Sequence, residues 1–510
     1  MKKVVIVGGG TAGWLSALFL SRYFVVPKFS VTVIESSSIG IIGAGEGSTG
    51  SLADVVNNRI ANFGCNEGEF FKTTGATIKL GNKHEDWRNL NHSYLGPIDG
   101  SDSFHQNNCD PVQYYGIATG EPLHRSTQNG LLMESNKVTY WDSDNLKEQM
   151  LTSSSPVGLQ THAYHFDGNR VGKYFKSVCE KSQVIHIDAI VKDVKLSETG
   201  YVNSVVLDDG STIEADLFID CSGFQRLFLG KTYNIPYKSY KKFLPADRAM
   251  PFLLPHTHTS NVPYTRARAQ KNGWMWQIPI QDRLGCGYVY SSDFITDDQA
   301  QQEIEQMLGQ EIEPIKIIKF DGGRYEKLWH KNVIAIGLAA AFAEPLEATS
   351  IHSTIHQLIV LCKDFLKVDD DILDPLNEEI YNDRMGKMYD DFADFINIHY
   401  ITERDDSKFW KLIATGELLT ENSKKILELV KTRTPNFKDW GFYSGSVGSP
   451  LYNVILNGLG KLNPEIAKQD LIRTKNINTA SAGWASQELL LDSFNKELMD
   501  SEKFNQMWRY

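Results

Sequence analysis

The chain has 510 residues, 41% hydrophobic and 23% charged, the balance of a folded globular protein and far from a disordered one. Lys and Arg total 52 against 63 Asp and Glu, a formal net charge of −11, and no long basic block is present; such a chain is a poor binder of nucleic acid or anionic membrane. The longest apolar run, 333–343 with one glycine, falls well short of the ~18 residues a membrane span needs.

At ~100–200 residues per domain, the length suggests two to four units. The first element is the clearest. Val4-Val5-Ile6-Val7 predicts a short parallel strand buried on both faces. Because the strand reads from Lys2, no room is left for a signal peptide. Gly8-Gly9-Gly10-Thr11-Ala12-Gly13 follows, and Trp14, Leu15, Leu18 and Phe19 take helical spacing over 14–24. A second strand at 31–34 ends in Glu35, 22 positions after Gly13. In such a βαβ unit Gly8 makes the tight turn and Gly10 lets the backbone approach a pyrophosphate. Gly13 lets helix and strand pack closely, while the helix start at Thr11 and Ala12 faces the phosphate charge. Glu35 then accepts hydrogen bonds from a ribose. The unit predicts dinucleotide binding.

Two later apolar runs also end in glycine, 215–223 and 332–337. Taken alone they read equally as core strands of separate units; taken together they are strands that deliver close-approach loops to one nucleotide fold. A fold stitched from three distant segments is how FAD monooxygenase-type proteins are organised. No second complete fingerprint for NAD(P)H exists, so the chain carries no reductant site of its own. Residues 84–160 are rich in Asn, Ser and Gly and are predicted as loops and short strands. Residues 240–295 hold alternating segments such as 285–290, typical of antiparallel strands. From 376 onward the pattern is helical, including 381–400 and 423–432. The six cysteines are scattered without a C-x-x-C, which fits reduced thiols in a cytoplasmic protein.

Gly273-Trp274-Met275-Trp276-Gln277-Ile278-Pro279 matches the W-x-W-x-I-P motif of flavin-dependent halogenases, the group that includes the tryptophan halogenases. The resemblance runs nearly end to end. Gly43-Ala44-Gly45-Glu46-Gly47-Ser48 resembles the family's second glycine-rich segment. Ala163-Tyr164-His165-Phe166-Asp167, residues 217–224, Pro345-Leu346-Glu347-Ala348-Thr349 and Phe395-Ile396-Asn397-Ile398-His399-Tyr400 look like further blocks in the family's order. The resemblance implies an α/β protein: an FAD-binding Rossmann-like fold of the GR2/monooxygenase type, with an inserted antiparallel β-sheet and a C-terminal helical substrate-binding module. Residues 1–90, 155–240 and 315–370 would form the FAD module, and 91–154, 241–314 and 371–510 the substrate module. By the same resemblance Gly45, Glu46, Val191 and Gly337 join the cofactor-binding residues.

The implied activity is FADH2- and O2-dependent halogenation of a small, electron-rich aromatic. In that family a chloride, bromide or iodide ion attacks a flavin C4a-hydroperoxide, and the hypohalous acid released travels to the substrate. A separate flavin reductase would supply FADH2. Indoles at i and i+2 of one strand share a face, so Trp274 and Trp276, with Ile278 and Pro279, would wall flavin from substrate and favour halogenation over hydroxylation. A bare W-x-W reads as core aromatics; the flanking residues reverse that reading. Lys79, in Thr77-Ile78-Lys79-Leu80-Gly81, resembles the catalytic lysine: an ammonium would hydrogen-bond hypohalous acid, and a neutral amine would form a haloamine. Glu347 resembles the second catalytic residue, a carboxylate that stabilises and deprotonates a cationic ring. By position alone it is an acid at a helix start, favoured by the dipole. Thr349 and Ser350 fall where the family binds halide on backbone N–H groups, with Ser350 in a position where glycine is common.

Other patterns yield less. His352 and His356 sit at i and i+4, but Ser353 fills the glutamate position of H-E-x-x-H and no third ligand is evident, so no metal is expected. His162 and His165 beside Asp167 read as a structural polar cluster, and no G-x-S-x-G elbow appears. For the substrate, an indole, phenol or related aromatic, the loop at 101–105 and Trp440, Phe442 and Tyr443 are the candidate contacts. Two rivals are an FAD-dependent aromatic hydroxylase, disfavoured by the Trp pair, and a catalytically silent flavin-binding protein, disfavoured by Lys79 and Glu347. Whether the chain forms a homo-oligomer stays open.

Overall fold

The computed structural model describes residues 2–509 except 27, 41–42, 99–110, 153–157, 160, 258–259, 367–372, 437–438, 440–446 and 448. The loop at 101–105, Cys109, Trp440, Phe442 and Tyr443 therefore lie outside the described residues.

The first apolar run becomes the strand Lys2–Val7 inside a six-stranded sheet. Leu217–Asp220 and Phe29–Glu35 flank it in parallel, with Val4 opposite Leu217 on one side and Val31 on the other. Val333–Ala335 and Trp329–His330 extend one edge, and Ile185–Asp188 forms the other. Val4, Ile6, Val33, Ile219 and Ile334 are fully buried, because both faces of this sheet are covered and a continuous apolar run is what such a strand requires. The helix Thr11–Arg22 packs against the helices Gly168–Cys179 and Thr349–Val360.

A second, seven-stranded sheet runs Ile318–Lys319, Arg248–Leu254, Leu284–Tyr290, Gly273–Pro279, Tyr264–Ala269, Gly81–Glu85 and Ser93–Pro97. Its pairing is antiparallel except between Tyr264–Ala269 and Gly81–Glu85. The alternation expected at 285–290 is present in Leu284–Tyr290, with every residue buried. One face carries Cys286, Tyr288 and Tyr290, which pack with Met250, Phe252 and Met275. The opposite face carries Gly285 and Gly287. A small third sheet places Ala163–Phe166 between Glu46–Gly47 and Thr77–Lys79. The α/β class with an inserted antiparallel sheet and a helical C-terminal region is the observed architecture.

Residues 84–160 depart from the expectation of loops and short strands. Besides the strands Ser93–Pro97 and Lys137–Trp141 they contain the helices Pro111–Thr119, Gln128–Glu134 and Leu146–Thr152. Helices this short draw their stability from tertiary packing rather than from amphipathic pattern. Pro111–Thr119 packs on Pro464–Arg473 and Ile477–Glu497, far later in the chain. The long helix Pro375–His399 begins with Asp374 capping the Leu376 N–H and ends at the centre of the site described next. Cys65, Cys179, Cys221, Cys286 and Cys362 are free thiols. Among the described residues no helix is long and apolar enough to cross a membrane.

Candidate active site

The glycine turn has the shape of a cradle. Gly8 has φ +114°, and a Cβ there would lie 2.1 Å from the Cys221 carbonyl oxygen; a Cβ on Gly13 would lie 1.8 Å from the Gly8 oxygen. Gly10 is extended and leads into the helix without a side-chain cap, and nothing lies within 4 Å of where its Cβ would stand. The first N–H groups of the helix are thus left open to an anion. Gly337, at φ +67°, closes on the same helix start, where a Cβ would meet Ala12 at 2.9 Å. Thr11 Oγ1 donates to Gly168 O at 3.4 Å. The Glu35 carboxylate lies over Gly9 and accepts from Trp14 Nε1 at 3.2 Å and Lys176 Nζ at 2.8 Å, with His186 Nε2 3.0 Å away. Val191, half-buried, opens the strand Val191–Leu196, two residues past Ala189, whose N–H donates to Glu35 O.

The second glycine-rich segment meets the seven-stranded sheet. A Cβ on Gly285 would fall 1.8 Å from Ala44 O, and one on Gly45 would fall 3.6 Å from Ile278 Cγ2. Pro279 O accepts from Thr77 Oγ1 at 2.6 Å, tying this strand end to the segment that bears Lys79. Trp276 stands opposite Gly287 and its ring lies flat across it, since a Cβ on Gly287 would be 2.1 Å from the indole. Trp274 is buried, with its ring centroid 6.2 Å from that of Trp276. Its Nε1 donates to Glu344 Oε2 at 3.0 Å, and Tyr400 OH donates to the same oxygen at 2.6 Å. Burial pushes the Glu344 carboxyl up to about 7, against the pull of these two bonds. Glu46 is likewise raised to about 7 by burial and the neighbouring Asp167 charge.

Lys79 ends the strand Thr77–Lys79 and is 1% exposed. Its Nζ reaches the Glu46–Gly47 strand, 3.0 Å from where a Gly47 Cβ would be. Burial pulls the ammonium down to about 8, and the Glu347 charge offsets part of that shift. Glu347 does not sit in the first turn of a helix, as its position in the sequence suggested. It closes the 3₁₀ turn Pro345–Glu347, and Ala348 in the left-handed region (φ 55°) separates it from the helix Thr349–Val360. A non-glycine residue there costs ~1–2 kcal/mol, which sets the carboxylate apart from the helix. Asn82 Nδ2 donates to Glu347 Oε2 at 2.7 Å, His399 Nε2 lies 3.0 Å from Oε1, and His84 Nε2 lies 3.3 Å from that same Oε1. Burial alone would raise this carboxyl; the hydrogen bonds from the imidazoles override it and hold the group far below the usual carboxylate range. The helix that follows starts without a side-chain cap, so the N–H groups of its first turn, at Thr349 and Ser350, have no intrahelical partner.

A family model described as tryptophan halogenase matches residues 3–457. The chain belongs to the tryptophan halogenase family. It is 32% identical to the tryptophan 7-halogenase KtzQ of Kutzneria sp. (strain 744), over 81% of this chain and 78% of that protein. Against the 7-chloro-L-tryptophan 6-halogenase KtzR of the same organism it is 30% identical over 90% of each. The solved structure of the tryptophan 6-halogenase SttH from Streptomyces toxytricini superimposes with a TM-score of 0.86 at 28% identity, covering 99% of both chains. BrvH, a flavin-dependent halogenase from Brevundimonas sp. BAL3, gives 0.82 at 26% over 100% of this chain and 99% of that one. The protein is a flavin-dependent halogenase.

Around the carboxylate, this halogenase holds residues that the sequence reading did not single out. Asn82 and His84 alternate on the strand Gly81–Glu85, just past Lys79, and His399 lay within a quoted block without a role. Glu344, three residues before Glu347, was also passed over. The available signal was the i, i+2 pair of Asn82 and His84, which share the buried face of a strand whose Lys83 and Glu85 are half-buried on the other. His84, Glu347 and His399 form the three-ligand cluster found among the described residues, with ligand atoms within 4.8 Å of one another. His352 and His356 lie apart from it: the rings stack on each other, and His352 Nδ1 is 2.9 Å from Thr49 Oγ1. His162 bonds Glu67 and Thr139, while His165 bonds Thr265.

Proposed function

We propose that this halogenase binds FAD in the cradle of Gly8, Gly10, Thr11, Ala12, Gly13, Glu35 and Gly337, with Gly45, Glu46 and Val191 completing the site. We assign Lys79 and Glu347 to the reacting atoms on a small electron-rich aromatic. Bound reduced FAD, delivered by a separate reductase, supplies the O2 chemistry that turns halide into hypohalous acid. The open glycine turn, where side chains would clash or block the helix start, supports that assignment.

Each residue then has a task. Thr349 and Ser350 offer backbone N–H groups to the halide. Trp274, locked to Glu344, and Trp276, laid across Gly287, form a stiff face that keeps a bulky aromatic from the flavin side. Lys79 hydrogen-bonds the oxygen of hypohalous acid and makes its halogen more electrophilic. The O–halogen bond breaks as the halogen bonds to a ring carbon, and the departing oxygen takes a proton from Lys79 and leaves as water; the proton later lost by the ring restores the ammonium. Glu347, held ionised, stabilises the cationic ring and takes its C–H proton. The observation that supports this reading is a buried ammonium, Lys79, against the Glu46–Gly47 strand, with Asn82, three residues further along, hydrogen-bonded to the Glu347 carboxylate.

The relatives named tryptophan halogenases make tryptophan and simple indoles the first substrates to supply. Given FADH2, O2, bromide and a panel of tryptophan, indoles and phenols, the enzyme is expected to yield brominated products by mass spectrometry. Hydroxylated product without bromination overturns the reading. With Lys79 near 8, the ammonium predominates at pH 7. The bromination rate is expected to fall as pH rises through about 8; a rise over that range would assign the haloamine route instead. Lys79→Ala should lose bromination while retaining flavin.

A further inference from the structure

Three side chains from three elements bring ligand atoms to one point. His84 lies on the strand Gly81–Glu85, Glu347 closes the turn before the helix Thr349–Val360, and His399 ends the long helix. His399 Nε2 is 3.0 Å and His84 Nε2 3.3 Å from Glu347 Oε1, and one ligand atom of each residue lies within 4.8 Å of the other two. A tetrahedral ion with bonds of ~2.0 Å sets its ligands about 3.3 Å apart, so these spacings to the carboxylate are those of a coordination shell. Each group is also held from behind. His399 Nδ1 is 2.9 Å from Phe395 O, which only accepts, so the proton on Nδ1 is fixed and Nε2 is turned inward. Tyr94 stacks on His84 with centroids 4.8 Å apart, and Trp87 stands edge-on at 6.2 Å. Asn82 Nδ2 donates to Glu347 Oε2 at 2.7 Å and leaves Oε1 to face the imidazoles. His84 is fully buried, and neither of its nitrogens has an aligned hydrogen-bond partner among the described residues. A buried polar group in that state calls for a further partner, an ion included.

We propose that His84, Glu347 and His399 form a binding site for Zn2+, and that the bound ion stops halogenation by taking the carboxylate away from the ring. The first half stands on the geometry alone; the second rests on the role given to Glu347 above. Two imidazoles and one carboxylate suit zinc, whereas Mg2+ and Ca2+ call for shells of oxygen. Three protein ligands leave the fourth position to water. A proton on Nε2 of either ring leaves for solvent as that lone pair takes the ion, and no electron is transferred. Glu347 is the one ligand with side-chain exposure, 10% against 0% for each imidazole, so the ion enters past the carboxylate. The Lys79 charge, felt at both Glu347 and His84, opposes a dication and keeps the ion removable by a chelator. Once coordinated, Oε1 has no free lone pair aimed at a ring proton, and the dication beside it repels a cationic ring.

The test uses the full-length enzyme, stripped with EDTA and dialysed. Titration with Zn2+ against a chromophoric chelator is expected to give one ion per chain. X-ray absorption at the zinc edge is expected to show two imidazoles among light-atom ligands at ~2.0 Å. His84→Ala and His399→Ala are each expected to weaken the binding by ~10²-fold or more, with melting temperature and a flavin titration reporting that each variant is folded. Wild-type affinity in both variants places the ion elsewhere and overturns the site, as does an absorption spectrum without imidazole. A wild-type dissociation constant weaker than ~1 mM overturns it too. Added Zn2+ is expected to abolish bromination of tryptophan or indole while FADH2 is still oxidised, and EDTA to restore it. Undiminished bromination at saturating Zn2+, or an enzyme that brominates only with the ion bound, overturns the switch. A wild type that brominates nothing in the panel, with or without Zn2+, instead overturns the assignment of Glu347, and the site is then decided by the spectrum and the titration alone.

Discussion

Lys79, the proposed catalytic lysine, shows what burying an ammonium costs at the scale of one residue. Burial brings its ammonium from 10.5 to about 8, which at 1.36 kcal/mol per unit is about 3 kcal/mol of folding stability given up at neutral pH. The unfolded chain binds the proton more tightly, so the penalty is complete below about 8 and disappears as pH rises from there toward 10.5. Lys79→Met is accordingly expected to be more stable than wild type at pH 7 by up to about 3 kcal/mol, with the gap narrowing across that window in denaturant titrations. A gap that stays constant from pH 7 to 10 would mean that the ammonium is not penalised in the fold. Glu347 solves the same problem differently: Asn82, His84 and His399 surround its charge with polar groups.

Among elements, the strand Leu284–Tyr290 governs the Trp face. Glycine at 287 lets Trp276 lie flat, and glycine at 285 lets the Ala44–Gly45 backbone touch the sheet. Gly287→Ala would put a methyl group 2.1 Å from the indole, tilting it and destabilising the protein by ~1–3 kcal/mol. The expected functional result is less halogenated product per FADH2 consumed, measured by product yield against flavin oxidation; unchanged coupling would remove Trp276 from its role as a wall. At this scale the sequence was legible where pattern and packing agree. The run Val4-Val5-Ile6-Val7 could be little else than a strand buried on both faces. The helix Pro111–Thr119 was illegible because its partners, Pro464–Arg473 and Ile477–Glu497, enter only in the folded chain.

Across the whole molecule, the proposed site lies where the parallel sheet, the seven-stranded sheet and the long helix Pro375–His399 meet. The six-stranded sheet supplies the glycine turn, the seven-stranded sheet the Trp pair with Asn82 and His84, and the helix end His399. At Gly285 the glycine-rich loop lies against the second sheet so closely that a Cβ would meet the Ala44 oxygen at 1.8 Å. Gly285→Val is therefore expected to weaken flavin binding as well as lower the denaturation midpoint, whereas a merely local defect would lower the midpoint alone. A flavin titration beside the denaturant curve separates the two.

The sequence by itself determined the buried parallel strand, the glycine turn with Glu35, the Trp-x-Trp strand, and Lys79 and Glu347 as candidates, because each is a local pattern with a local physical reason. Only the tertiary structure decided what surrounds the carboxylate. Asn82 and His84 come from one strand and His399 from the end of a helix more than three hundred residues later. No spacing along the chain can report that these three close on a single buried charge. The reason is that burial makes an unpartnered charge expensive in proportion to what the whole fold packs around it, and that surrounding is set by the fold.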